Sequence, residues 1–66
     1  MYTNVKVCIE DMTGYYVCLA VGEFLFSQRS VWVPRTLIKD GDAVDYKDRF
    51  LDIDSTFVHR YKITDY

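Results

Sequence analysis

Sixty-six residues, 50% hydrophobic and 17% aromatic, make a single small domain spanning residues 1–66, too apolar for a disordered chain. Eight Lys/Arg against ten Asp/Glu give a net charge of −2, a poor balance for a protein whose affinity rests on phosphate contacts. No window reaches the ~18 consecutive apolar residues of a membrane span, and the start, MYTNVKVCIED, lacks the basic-then-apolar order of a signal peptide. The expected location is therefore the cytoplasm, with no membrane partner. Six Tyr and four Phe exceed what so small a core encloses, so some are expected at the surface.

In chain order, Thr3, Val5, Val7 and Ile9 alternate with Asn4, Lys6, Cys8 and Glu10, the period of a half-buried strand. Tyr15, Val17, Leu19 and Val21 alternate in the same way, and Asp11-Met12-Thr13-Gly14 between them reads as a turn. Matching the apolar faces sets Ile9 opposite Val17, Val7 opposite Leu19 and Val5 opposite Val21. Met12-Thr13-Gly14 is then the loop, with Gly14 left-handed at its end. The same register places Cys8 opposite Cys18, with Cβ atoms about 4.5–5.5 Å apart, slightly wide for a disulfide. Two reduced thiols packed as small hydrophobes are expected.

Beyond Gly22, Phe24-Leu25-Phe26 is apolar without clear alternation, and Ser27-Gln28-Arg29-Ser30 reads as a polar turn. Val31-Trp32-Val33 is a short stiff strand that Pro34 ends, having no N–H for the ladder. Pro34 suits the first position of a helical turn over residues 34–38, which Asp40-Gly41 breaks. Asp42–Tyr46 and Phe50–Ile53 are expected as short strands around Lys47-Asp48-Arg49. Asp54 or Ser55 is a good helix N-cap. Phe57, Val58 and Tyr61 share a helical face, and Arg60 and Lys62 suit a helix C-terminus, so residues 55–63 read as a short helix. The class is mostly β, an α+β small domain. Its expected form is a highly curved antiparallel sheet or an SH3-like or OB-like small barrel, with a helical turn after Pro34 and a C-terminal helix. Trp32 is expected to fill or close the barrel; an exposed stacking residue is the alternative.

No catalytic set is present. His59 is the single His and there is no Cys-x-x-Cys, which argues against a zinc site. The three Gly lie far apart, so no phosphate loop forms. The acidic stretch lacks the order and closing Glu of a calcium loop. A non-enzyme without metal or cofactor is expected.

The stretch VWVPRTLI, Val31 to Ile38, resembles a Trp-(Ile/Val)-Pro-(Lys/Arg)-(Ser/Thr)-x-Ile pattern found in small, uncharacterised accessory proteins of bacteriophages and prophages. In those proteins an apolar strand precedes the motif, as Val17–Val21 does here. A strand and then a helix follow it, as Leu51–Ile53 and Asp54–Ile63 do; Phe57 stands where the pattern carries a Trp. The resemblance implies a mobile-element origin and a helical ending.

The leading expectation is a phage-encoded protein-interaction module, in its specific form an anti-CRISPR-like inhibitor of a host defence complex. Residues 39–54 hold six Asp against three cations, and an acidic face complements a basic nucleic-acid groove on a host protein or protein–nucleic acid complex. Asp40, Asp42, Asp45, Asp48 and Asp52 would dock there, with Tyr46 and Phe50 as anchors. The alternative is a single-stranded nucleic-acid-binding accessory protein of phage replication or recombination. Its site would be Tyr15, Tyr16 and Trp32 with Arg29 and Arg35, a reading that the net charge disfavours. A third reading is a homodimer formed through a strand edge or apolar patch.

Overall fold

The alternation of Val5, Val7 and Ile9 buries all three residues, at 2%, 1% and 7% exposure, but it does so through two strands instead of one. A computed structural model describes residues 1–22 and 28–66; Phe24, Leu25, Phe26 and Ser27 lie outside the described residues. The strands are β1 (Tyr2–Lys6), β2 (Cys8–Met12), β3 (Tyr16–Gly22), β4 (Gln28–Pro34) and β5 (Phe50–Asp54), followed by the helix α1 (Ser55–Arg60). Single 3-10 turns at Arg35–Leu37 and Gly41–Ala43 lie between β4 and β5. β1 pairs antiparallel with β5, and β2-β3-β4 form an antiparallel meander. The mostly β, α+β class holds, but the two sheets do not close into a barrel.

The chain passes from one sheet to the other at Val7, whose N–H donates to the Arg49 carbonyl at 2.8 Å, one step beyond the Lys6–Phe50 pair of the β1–β5 ladder. Val5 therefore faces Leu51 of β5, not Val21. In the meander Ile9 faces Leu19, not Val17, and a bulge at Glu10 follows, after which Asp11 faces Cys18 and Met12 faces Val17. The inserted residue lets Ile9 and Met12, three apart, both pack against the core. Cys8 consequently faces Ala20, not Cys18, and both cysteines are free. Gly14 has no positive φ, and the hairpin is closed by the Thr13 N–H donating to the Tyr16 carbonyl (2.8 Å) together with the Thr13 side chain. The Thr13 hydroxyl accepts from the N–H groups of Tyr15 (3.2 Å) and Tyr16 (2.9 Å).

The expected polar turn at residues 27–30 is instead strand from Gln28 onward, because β3 is long enough to pair as far as Gly22 with Gln28. β4 ends at Pro34 and passes directly into the 3-10 turn, as the proline dictates. Val33 faces in at 0% exposure, whereas Trp32 faces out at 47%, overturning its placement in the core. Strand alternation leaves no other outcome once Val33 and Val31 take the inner face. Residues 42–46 are not a strand: Asp42 and Ala43 belong to the second 3-10 turn, and the chain then runs irregularly to β5. Asp40 is left-handed at φ 53°, which breaks any extended run before it starts. A Cβ on Gly41 would stand 2.0 Å from the Arg35 carbonyl oxygen, so only glycine fits there.

Among the described residues the core cluster is aliphatic: Val5, Val7, Ile9, Val17, Leu19, Val21, Val33, Ile38, Leu51, Ile53 and Ile63. Phe57 and Val58 of α1 pack against it. The helix begins as the sequence signals, with the Asp54 carboxylate accepting from the Phe57 N–H at 3.1 Å. After α1 the tail returns to both sheets. The Gly22 N–H donates to the Thr64 carbonyl (3.1 Å), and the Tyr66 N–H donates to the Lys6 carbonyl (2.8 Å).

Candidate interaction site

Residues 40–52 form three consecutive local structures that share one surface chemistry. Asp40 and Asp42 flank the buried Gly41 and are both exposed; neither carboxylate has a hydrogen-bond or ion-pair partner among the described residues. Next comes a turn built by its own acids. The Asp45 N–H donates to Asp48 Oδ2 (3.0 Å), the Lys47 N–H donates to Asp45 Oδ1 (2.8 Å), and the Asp48 N–H donates to the Asp45 carbonyl (2.9 Å). Asp45 and Asp48 thus shape the loop as well as charging it. β5 follows with Leu51 and Ile53 buried and Phe50 and Asp52 on the outer face. Asp52 Oδ1 accepts from Asn4 Nδ2 at 3.0 Å across the β1–β5 pair.

Tyr46 and Phe50 stand in this segment at 51% and 59% exposure. The Tyr46 hydroxyl donates to Asp11 Oδ1 at 3.4 Å, which brings Asp11 into the acidic group. Sequence spacing could not have found Asp11, because it lies 35 residues away.

The residues of the nucleic-acid alternative divide. Tyr15 is 82% exposed at the hairpin tip, and Tyr16 and Trp32, at 45% and 47%, share the outer face of the meander. The two arginines are turned inward onto backbone. Arg35 Nε donates to the Thr13 carbonyl (2.9 Å) and its Nη1 to the Gly41 carbonyl (2.8 Å), so this half-buried guanidinium ties the hairpin to the second 3-10 turn. Arg29 Nη2 donates to the Tyr61 and Lys62 carbonyls at the end of α1. Beside Trp32 a cleft of about 440 Å³ runs between β4 and α1, lined chiefly by Tyr16, Val31, Trp32, Pro34, Phe57 and Tyr61. Phe57 and Tyr61 join it only because α1 folds back, with ring centroids 4.5 Å apart.

On the outer face of the meander Glu10 Oε1 accepts from the Ser30 hydroxyl (2.6 Å) and lies 3.8 Å from Cys18 Sγ. Burial pushes the Cys18 thiol up, and the Glu10 and Asp11 carboxylates push it further. A thiol so placed stays protonated at neutral pH and is a weak nucleophile. Among the described residues no three His, Cys, Asp or Glu side chains converge to hold a metal ion. Among them, too, no helix is long and apolar enough to cross a membrane. No family model, curated protein or solved structure matches the chain.

Proposed function

We propose that the chain is a non-enzymatic protein-interaction module whose segment from Asp40 to Asp52 docks on a basic surface of a partner protein. The observation that carries this reading is the exposure of Tyr46 and Phe50 (51% and 59%) among carboxylates. Exposed aromatics supply anchor area, while acids supply steering and register on a cationic groove. In the phage setting implied by the VWVPRTLI resemblance, that groove belongs to a host defence complex and the module acts as an anti-CRISPR-like inhibitor.

The test is affinity capture from a bacterial host lysate with and without nuclease, using the wild type and an Asp42→Lys/Phe50→Ala variant. Asp42 and Phe50 are chosen because neither side chain holds the loop together. A protein captured with nuclease present, and lost with the variant, supports the reading; capture that the variant leaves intact refutes it. The single-strand-binding reading draws on the shared face of Tyr16 and Trp32. It expects Trp32 fluorescence to quench on adding an oligonucleotide at low salt, with affinity falling steeply as salt rises.

A further inference from the structure

A strand edge with unpaired N–H and C=O groups is a template for another strand, and proteins ordinarily close such edges. Three edges here are interrupted, by a bulge and charges or by bonds from another segment. The free side of β2 carries the Glu10 bulge and the charges of Glu10 and Asp11. The far side of β1 is capped by the tail at Lys6, whose N–H donates to Asp65 Oδ1 (2.8 Å) and whose carbonyl accepts from Tyr66. The far side of β5 is covered by the bridge from Ile38 to Ile53 and by the Lys39 N–H donating to the Asp52 carbonyl (2.8 Å). The far side of β4 has no such cover among the described residues. It pairs with β3 without a bulge, and residues 30–34, Ser-Val-Trp-Val-Pro, carry no charge.

The ladder says which groups are on offer. The Arg35 N–H donates to the Tyr15 carbonyl at 2.9 Å, so in this register the odd-numbered residues of β4 bond to β3. The even-numbered Ser30 and Trp32 therefore direct their backbone N–H and C=O groups outward.

We propose that β4 pairs antiparallel with β4 of a second copy of this chain, about a two-fold axis at Val31. Ser30 then faces Trp32 of the other copy, and the two such pairs exchange four backbone hydrogen bonds. Val31 meets its own counterpart, and the half-buried Val31 and Phe57 with the exposed Tyr61 are covered from across the axis. A second copy is the fitting occupant because the edge is neutral. Self-pairing sets no charged residue of 30–34 opposite another, despite the net charge of −2, whereas an acidic or basic strand gains nothing from residues 30–34. The two-fold also sets the same apolar residues on both sides of the joint, as an isologous interface requires. The inference does not rest on the acidic segment and stands or falls separately from it.

The test is light scattering of the full chain from low micromolar to millimolar concentration, with amide hydrogen exchange at both ends of that range. The mass is expected to rise from 7.8 kDa towards twice that value, with the Ser30 and Trp32 amides slowing by at least about tenfold. Ser30→Pro removes an outward N–H while leaving the β3 ladder intact, and it is expected to stay monomeric throughout. A mass of 7.8 kDa at every concentration overturns the proposal. So does a dimer in which the Ser30 and Trp32 amides exchange as fast as in dilute solution. The exchange measurement decides the matter on the unmodified chain should Ser30→Pro not fold.

Discussion

Lys62 occupies the left-handed region at φ 53°, where a side chain is a liability. It lies just past α1, where the Ile63 N–H donates to the Val58 carbonyl (3.0 Å) and the Lys62 N–H to the His59 carbonyl (3.3 Å). These two bonds form a Schellman closure, a position that usually carries glycine. Holding a residue with a Cβ there costs roughly 1–2 kcal/mol, while glycine's extra freedom in the unfolded chain returns roughly 0.5–1 kcal/mol of that. Lys62→Gly is therefore expected to exceed Lys62→Ala in stability by about 0.5–1 kcal/mol. Alanine is the right reference, because both variants lose the cation at the helix end and both keep the carbonyl that accepts from Arg29. In a domain of this size the difference corresponds to roughly 2–8 °C in Tm, read by far-UV circular dichroism and by Trp32 fluorescence in parallel. Glycine and alanine variants that melt together would falsify the account of this turn, since the backbone term is all that separates them.

Three further outcomes follow from the packing. Gly22→Ala sets a Cβ 1.8 Å from the Asp65 carbonyl oxygen, so the tail must move off β3. A loss of about 1–3 kcal/mol is expected, with faster removal of the last residues by carboxypeptidase as the check. Asp54→Ala deletes the α1 cap at Phe57 and is expected to cost about 1 kcal/mol in urea unfolding. Cys8 is expected to alkylate before Cys18, monitored by mass after digestion. The raised Cys18 thiol also carries a stability sign. The unfolded chain releases that proton first, so the Cys18 contribution is present below the ordinary thiol range and is lost as pH rises through it.

The elements most legible in the sequence are those with local causes. Pro34 ends β4 and opens the 3-10 turn by its ring; Asp54 starts α1 by its carboxylate; Leu51 and Ile53 mark β5 by alternation. What stayed hidden depended on distant partners. Nothing near Val5 says that its neighbour is Leu51 and not Val21, and the Glu10 bulge shifts register by a residue that alternation cannot anticipate. The bulk of Trp32 argues for burial, whereas the core among the described residues is aliphatic throughout. Of the candidate site, a surplus of surface aromatics is readable from composition and the exposure of Asp40, Asp42 and Asp45 from their charge, whereas Asp48 and Asp52 are half-buried. The inward turn of Arg29 and Arg35 is not readable, since their acceptors are carbonyls on other segments.

The return of the tail to Lys6 and Gly22, together with the pairing of β1 with β5, also sets the order in which this chain can fold. β2, β3 and β4 are sequential neighbours and can zip as a local meander. β1 has no strand partner until residues 50–54 are available, and the tail cannot seal its edge until residues 63–66 are. Joining Tyr2 to Asp54 closes a loop through nearly the whole domain, an entropic toll met before the contact is gained. High contact order of this kind places folding in the slower, millisecond-to-second regime of small β domains. During synthesis the first strand therefore stays without its partner until the last strand has left the ribosome.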